Sequence, residues 1–489
     1  DHLIEKIPAS AYEQNISSNS NSEVNKSHLQ DICKKHGAIP IQSWGTNSWF
    51  TTTINLLMNT LGSTVLFLPK LYGQLGWVLA PVLLTLAGIL SFGSGYLLSE
   101  TIDVYEANGA DIIKFGDIAA SAYGKSTFIS ILTDYFGHMT IFASLIIVLN
   151  FFTQVMFYMA PSIPYRAWML IIAGGFLLPC AMIRRGAWLS KGSFIGALGT
   201  ILIIVGIPTA AIIGLSDDNL KPETGFAPEK VMDVFAKFNT FLFMFGPSAL
   251  YPTIKASMKD RSGFNSANAT AHVLSLAVYL LAGLLAYGSF GKHVSENVIY
   301  SMGEMEKRTI PNINSTRYQE FDQYRLDRWW IGWPVAIAMV CCCVVAAPVR
   351  FIAFFGGLTK NHPILNKNVV VNTIFRVTTV SVVLGLTILV PNLNTLLGIV
   401  TSLVSPILKF VLATIYYRKA QFLQNKEFPI WMWVIPVFGI VMAILGFVLS
   451  IIEVVNIDNQ KEGGVFTDFF GTARNMRMLL SDEQLVKEL

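Results

Sequence analysis

Apolar positions along this chain gather into long unbroken runs, not into the alternating pattern of strands or the narrow stripes of surface helices. Residues 1–45 are polar and contain the low-complexity stretch Asn15–Ser27 (NISSNSNSEVNKS), which has no apolar period. Such a segment cannot bury a core, and no apolar run follows a basic start as in a signal peptide, so a disordered cytoplasmic tail is expected. From Trp49 onward the runs are long enough to cross about 30 Å of hydrocarbon at about 1.5 Å per residue. Eleven spans are expected, near 47–69, 75–101, 131–160, 164–183, 193–215, 233–255, 268–290, 329–355, 369–390, 394–417 and 428–453. The ninth and tenth are separated by the turn signal Pro391-Asn392-Leu393-Asn394.

Composition agrees with an all-α polytopic membrane protein. Of 489 residues, 53% are hydrophobic and 13% charged, against roughly 25% charged in soluble domains. The net charge of +4 is spread over short loops, which excludes a nucleic-acid binder with a basic groove. Five cysteines without a C-x-x-C spacing indicate neither a metal site nor a disulfide framework, and no cofactor is implied.

Lys and Arg in short loops set the orientation, because positive charge is retained on the cytoplasmic side. A cytoplasmic N-terminus places Arg184, Arg185 and Lys191, then Lys255, Lys259 and Arg261, then Lys360 and Lys367, then Arg418, Lys419 and Lys426 in the cytoplasm. The loop 291–328 then lies on the outer or lumenal face, where the sequon at Asn314 is open to glycosylation. An odd number of spans puts the C-terminus on that same face.

Two spans carry interruptions. The first reads Asn55-Leu56-Leu57-Met58-Asn59-Thr60-Leu61-Gly62-Ser63-Thr64, and the sixth reads Phe243-Met244-Phe245-Gly246-Pro247-Ser248. Non-helical backbone at membrane depth is tolerated where it is buried in protein or lines a cavity. Broken helices in matching positions of two halves mark a transporter with inverted repeats and a substrate site between them. Five plus five helices with one extra account for eleven. The division is then a tail at 1–45, a first repeat at 46–217, a second repeat at 218–418 containing the 291–328 loop, an eleventh helix within 419–454 and an extracytoplasmic end at 455–489. Freed amides at restarting helices can hold a carboxylate and freed carbonyls an ammonium. The centres of spans 1, 3, 6 and 8 hold no Asp, Glu, Lys or Arg, so a zwitterion with a neutral side chain fits, aromatic ones among them given Phe241, Phe243 and Phe245.

The residues also carry a resemblance. Asn55-Leu56, Gly62-Ser63-Thr64-Val65-Leu66-Phe67-Leu68-Pro69 and Gln74-Leu75-Gly76-Trp77 resemble the opening helix of the amino acid/auxin permease family, which shows G-x-G-x-L-x-L-P followed by Q-x-G. Ala347-Pro348-Val349-Arg350 resembles its P-x-R in helix eight, and Pro391-Asn392-Leu393 with Leu397-Gly398 its motif before helix ten. The resemblance implies an eleven-helix amino-acid transporter of the leucine-transporter type working by alternating access, a vacuolar-type member of that family. By that resemblance Asn59, Thr60, Leu61, Gly62 and Ser63 touch the substrate's backbone groups, with Phe245, Gly246 and Ser248 opposite. Thr64 replaces the family's second glycine and puts a hydroxyl in or beside the site.

A sodium site in such an architecture takes hydroxyls from helix eight, and none lies between Ile331 and Leu358. Proton coupling or exchange is therefore expected in place of sodium, and a vacuolar or lysosomal membrane in place of the plasma membrane. Titratable groups within spans are Glu100, Asp103, Asp134, His138, His272 and Lys409. Glu100 and His272 are the candidates for a proton relay, and Arg350 for a gate that pairs with an acid. No phosphate loop, embedded acid pair or H-E-x-x-H motif points to a pump or an enzyme. The remaining alternative is a transporter-shaped sensor whose ligand alters its tail.

Overall fold

The computed structural model describes residues 45–460, apart from the loop 304–328 and short gaps at 46, 125–126, 161, 184–188, 217–221, 229–232, 247, 293, 296, 362–367 and 390–392. The tail, Asn314 and the segment after 460 lie outside the described residues. Helices dominate. α1 (Trp49–Leu61) is started by Ser48, whose hydroxyl accepts from Thr51 N at 3.2 Å. It stops at Gly62, and a 3₁₀ turn over Ser63–Phe67 leads into α2 (Leu68–Ala107). α2 bends sharply at Gly76, where φ is +82°, so its first turns continue α1 and the rest returns as a separate rod. A side chain cannot replace that glycine easily: a Cβ would lie 2.7–2.8 Å from the backbone of Gly225 to Ala227.

α3 (Phe115–Tyr123) is short, and α4 (Phe128–Met159) is the most enclosed of the candidate spans. α5 (Tyr165–Ile172) and α6 (Leu178–Met182) are joined by a π-turn and followed by α7 (Leu189–Leu215). The sixth expected span is in two pieces, α8 (Asp233–Met244) and α9 (Tyr251–Ala256). Then come α10 (Phe264–Phe290), the short α11 (Val298–Gly303), α12 (Trp329–Asn361) and α13 (Val369–Leu389). α14 (Leu393–Pro406) and α15 (Ala413–Leu423) are joined by a π-turn over Ile407–Leu412, and α16 (Val434–Gln460) closes the chain's described part. The α14–α15 rod runs past residue 418, where the second repeat was expected to end.

Eight helical stretches among the described residues are long and apolar enough to cross a membrane. α1 and α2 enter that count as one, while the broken α8–α9 and the π-interrupted α14–α15 do not enter it. Each rod has an inner and an outer face. On α2, Ala80, Leu84, Ala87, Ser91, Ser94 and Leu98 are buried, while Val78, Val82, Leu86 and Ile89 are exposed large apolar residues facing lipid. α10 packs on α1, α2 and α7, and α12 on α4 and α7. α8 lies among α2, α14 and α16. α9, the second piece of the sixth span, packs on α1, so the two broken helices meet inside the bundle.

Candidate functional site

The break in the first helix lies at Gly62, with φ −17° and ψ −118°, and its N–H is bound to Met58 O at 3.3 Å. The break in the sixth centres on Gly246, with φ +92°. Its N–H turns back to Phe243 O at 3.2 Å, so the α-helical acceptor, Leu242 O, is left to another donor. A Cβ on Gly246 would lie 3.1 Å from Thr60 Oγ1, so the two breaks face each other at contact distance.

Tyr279 of α10 ties them together. Its phenol lies 2.5 Å from Thr60 O and 3.0 Å from Met244 O, sharing one proton between the ends of α1 and α8, with Thr64 Oγ1 at 2.7 Å. Thr64 itself donates to Thr60 O at 2.6 Å. The hydroxyl at the family's glycine position thus occupies a helix-end carbonyl and contacts the tyrosine. Helix ends here are partially negative at α1 and α8 and partially positive where the chain restarts at Ser63 and Ser248.

Of the residues expected to touch substrate, Thr60, Thr64, Phe245 and Gly246 come together around Tyr279. Phe245 is fully buried, edge-on to Tyr279 with ring centroids 5.4 Å apart and stacked on His272 at 5.9 Å. Its ring rests against helix α2 at Gly88, where a Cβ would lie 2.9 Å from Phe245 Cζ. Phe241 is also buried, while Phe243 is half-buried. Ser248 Oγ is buried without a hydrogen-bond partner among the described residues. Leu61 is buried, and Ser63 opens the 3₁₀ turn. Asn59 turns to its own helix, donating to Asn55 O at 2.8 Å.

The three relay and gate candidates are not joined. Glu100 accepts from Asn265 at 3.2 Å, whereas His272 Nδ1 lies 2.9 Å from Asn268 O and its Nε2 is buried without a partner among the described residues. Arg350 lies within α12 and forms no ion pair among the described residues, so the acid expected to gate with it is not seen there. Ion pairs between the end of α2 and the region after α8 lie elsewhere. Lys255 Nζ binds Asp103 at 2.6 Å, with Ser99 Oγ at 2.8 Å and Ser99 O at 3.0 Å, and Arg261 pairs with Glu106. The segment entering α1 joins the same end, since Asn47 N binds Ser257 O at 3.0 Å and Lys259 N binds Asn47 O at 2.9 Å.

Of two further buried cations, Arg376 was not singled out by sequence, and Lys409 was named only as a titratable group within a span. Arg376 of α13 binds Asn372 at 2.7 Å and the carbonyl of Ala181, and stacks over Phe355 at 4.3 Å. Lys409, from the π-turn between α14 and α15, reaches the freed carbonyl of Leu242 and Ser91 Oγ at 2.9 Å. The sixth helix carries no charge at its break, yet the tertiary fold brings one there. The only signal available in sequence was a lysine in the middle of an apolar span.

Paired helix breaks enclosed in a helical bundle define the class of membrane transporters with discontinuous helices. The chain belongs to the transmembrane amino acid transporter protein family, whose sequence profile matches residues 45–457. This is a family of multi-pass membrane transporters, not enzymes. The chain is 24% identical over 286 residues to vacuolar amino acid transporter 3 of Saccharomyces cerevisiae, covering 58% of this chain and 40% of that protein. It is 25% identical over 272 residues to vacuolar amino acid transporter 5 of Schizosaccharomyces pombe, covering 52% of this chain and 61% of that one. The chain thus matches about half the length of these curated relatives. Solved structures share the fold. A mutant manganese transporter of Eremococcus coleocola aligns with a TM-score of 0.52 at 13% identity, covering 84% of this chain and 90% of that one. MhsT in complex with L-phenylalanine aligns with a TM-score of 0.51 at 13% identity, covering 84% of this chain and 100% of the other.

Proposed function

We propose that this protein carries neutral amino acids, aromatic ones among them, across a vacuolar or lysosomal-type membrane by alternating access. The observation that carries the reading is the contact of the two breaks at Thr60 and Gly246, bridged by Tyr279. Breaks of this kind offer backbone amides to a carboxylate and backbone carbonyls to an ammonium, so a zwitterion is recognised without a dedicated charged side chain. Thr60, Leu61, Gly62, Ser63, Thr64, Phe245, Gly246 and Ser248 would form the walls of that site once the breaks separate, with Asn59 at its edge. The vacuolar amino acid transporters among its relatives support both the substrate class and the membrane.

The helices read as eleven crossings when the chain is divided at Gly76 and each broken or π-interrupted rod is counted once. The breaks then fall in the first and sixth crossings, as two five-helix repeats of opposite orientation require. The N-terminus is cytoplasmic and the C-terminus lumenal in this reading, with Asn314 on the lumenal side. Exchange or proton coupling is favoured over sodium because helix α12 offers thiols in place of hydroxyls: Cys342 Sγ lies 3.6 Å from Thr200 Oγ1, and hard cations take oxygen ligands. Counterflow tests the reading. Purified full-length protein in vesicles preloaded with unlabelled leucine, phenylalanine or tyrosine is expected to take up the radiolabelled form transiently above its equilibrium level. Failure with all the common neutral amino acids overturns it.

A further inference from the structure

Lys409 is 3% exposed at the place where α8 stops. Its Nζ donates to Leu242 O, the carbonyl released when Gly246 N turned to Phe243, and contacts Ser91 Oγ at 2.9 Å. The backbone around it is fixed as well, because Ser94 donates to Lys409 O at 2.6 Å. Among the described residues no carboxylate pairs with it. An ammonium deep in a bilayer without a counter-ion is costly, and such residues mark ion or proton pathways.

The partners of this lysine suit both of its protonation states. A carbonyl accepts from ammonium or amine alike, while the Ser91 hydroxyl accepts from the ammonium and can rotate to donate to the lone pair of the amine. A purely structural ion pair would instead supply a carboxylate. The surrounding elements supply few other charges. On α2 the titratable groups beyond Ser94 are Tyr96, Glu100, Asp103, Tyr105 and Glu106, all towards the Lys255 and Arg261 end. α4 carries Asp134, Tyr135, His138 and Tyr158, and α15 carries Tyr416, Tyr417, Arg418 and Lys419. α8 carries Asp233 and Lys237, both one turn and more before Leu242, while α14 and residues 434–452 of α16 carry none. From α10, His272 stacks on Phe245 beside the break.

We propose that Lys409 is the residue at which this carrier binds and releases its coupling proton, a tethered cation occupying the broken end of the sixth helix. The inference rests on the transport reading given above. In the step, one Nζ–H bond of the ammonium breaks, its electron pair stays on nitrogen, and the proton passes to water on the side to which the site has opened. Rearrangement of the α8 break during alternating access withdraws Leu242 O and with it the acceptor that favours the charged form. Reprotonation from the opposite side reverses the step.

The test uses full-length protein in vesicles, with radiolabelled leucine, phenylalanine and tyrosine as probes and an internal pH dye. In the wild type, a pH gradient of one polarity is expected to drive accumulation and a substrate-dependent proton flux. In Lys409→Met the ratio of gradient-driven uptake to counterflow is expected to fall about tenfold or more, with the substrate-dependent proton flux lost. Ser91→Ala retains the lysine and is expected to shift the pH at half-maximal gradient-driven uptake by about a unit. It decides the matter if Lys409→Met does not yield folded protein. Wild-type uptake indifferent to both gradient polarities, Lys409→Met with an unchanged ratio, or Ser91→Ala with an unchanged midpoint overturns the proposal while leaving the transport reading standing. Absence of counterflow in the wild type with every probe overturns both.

Discussion

Tyr279 and Thr60 are joined by a 2.5 Å hydrogen bond, and the same phenol lies 3.0 Å from Met244 O, so one side chain from α10 bridges the ends of both broken helices. Thr60 O also accepts from Thr64 Oγ1 at 2.6 Å, whereas Met244 O lies at the end of α8, where the helix supplies no further donor. Tyr279 is buried to the last fraction of its surface. Whatever opens the space between the breaks must first release or move this phenol.

Tyr279→Phe keeps the ring and removes the bridge. Leaving a buried acceptor without a donor costs about 1–3 kcal/mol. A lower melting temperature is expected, together with a fall in counterflow of about tenfold or more. A Tyr279→Phe protein with wild-type melting and counterflow would show that the bridge is idle.

Gly246→Ala places a methyl 3.1 Å from Thr60 Oγ1 at a φ of +92°. A side chain in the left-handed region costs roughly 1–2 kcal/mol before any crowding is counted. The variant is expected to melt earlier and to lose uptake. Pairing it with Thr60→Ser leaves the hydroxyl and so should not restore either property, which thermal-shift measurement checks.

Gly88→Ala acts through Phe245. The added carbon would meet Phe245 Cζ at 2.9 Å and push the ring towards His272. Overpacking of this kind costs about 1–3 kcal/mol. A second change, Phe245→Leu, removes the offending atoms, so the double variant is expected to melt above Gly88→Ala alone. Additive losses would contradict the contact.

At the Lys255 and Asp103 pair the two single removals should be unequal. Lys255 is 1% exposed in its side chain and Asp103 is 47% exposed. Asp103→Ala leaves the buried ammonium on Ser99 without its carboxylate and is expected to cost about 3 kcal/mol. Lys255→Met leaves a carboxylate that water can reach, at less than about 1 kcal/mol. Unfolding measured for both variants distinguishes the asymmetry from a simple pairwise loss.

Much of this architecture was readable along the chain because hydrocarbon leaves little freedom. Apolar runs had to be helices of bilayer length, and Gly62 and Gly246 stood out because glycine within such a run weakens a helix that has no other reason to break. The family motif at Gly62 to Pro69 added the partners of the first break only in kind. Asn59, expected at the substrate, also binds Asn55 O, since a side-chain amide one turn from a carbonyl satisfies itself locally, a bond the sequence pattern does not announce. Arg350 was expected to pair with an acid, and none is seen with it among the described residues; the pairs between α2 and the region after α8 are Lys255 with Asp103 and Arg261 with Glu106.

Composition and pattern alone determined that this protein lives in a bilayer, where its helices run and which two of them break, because backbone groups in lipid must be satisfied within the segment and violations are conspicuous. Only the tertiary structure decided what satisfies the broken ends. Tyr279 and Lys409 reach Met244 O and Leu242 O from segments remote in sequence. Hydrogen bonding between distant elements depends on how the rods pack, and packing among uniformly apolar helices leaves no period in the chain from which to read it.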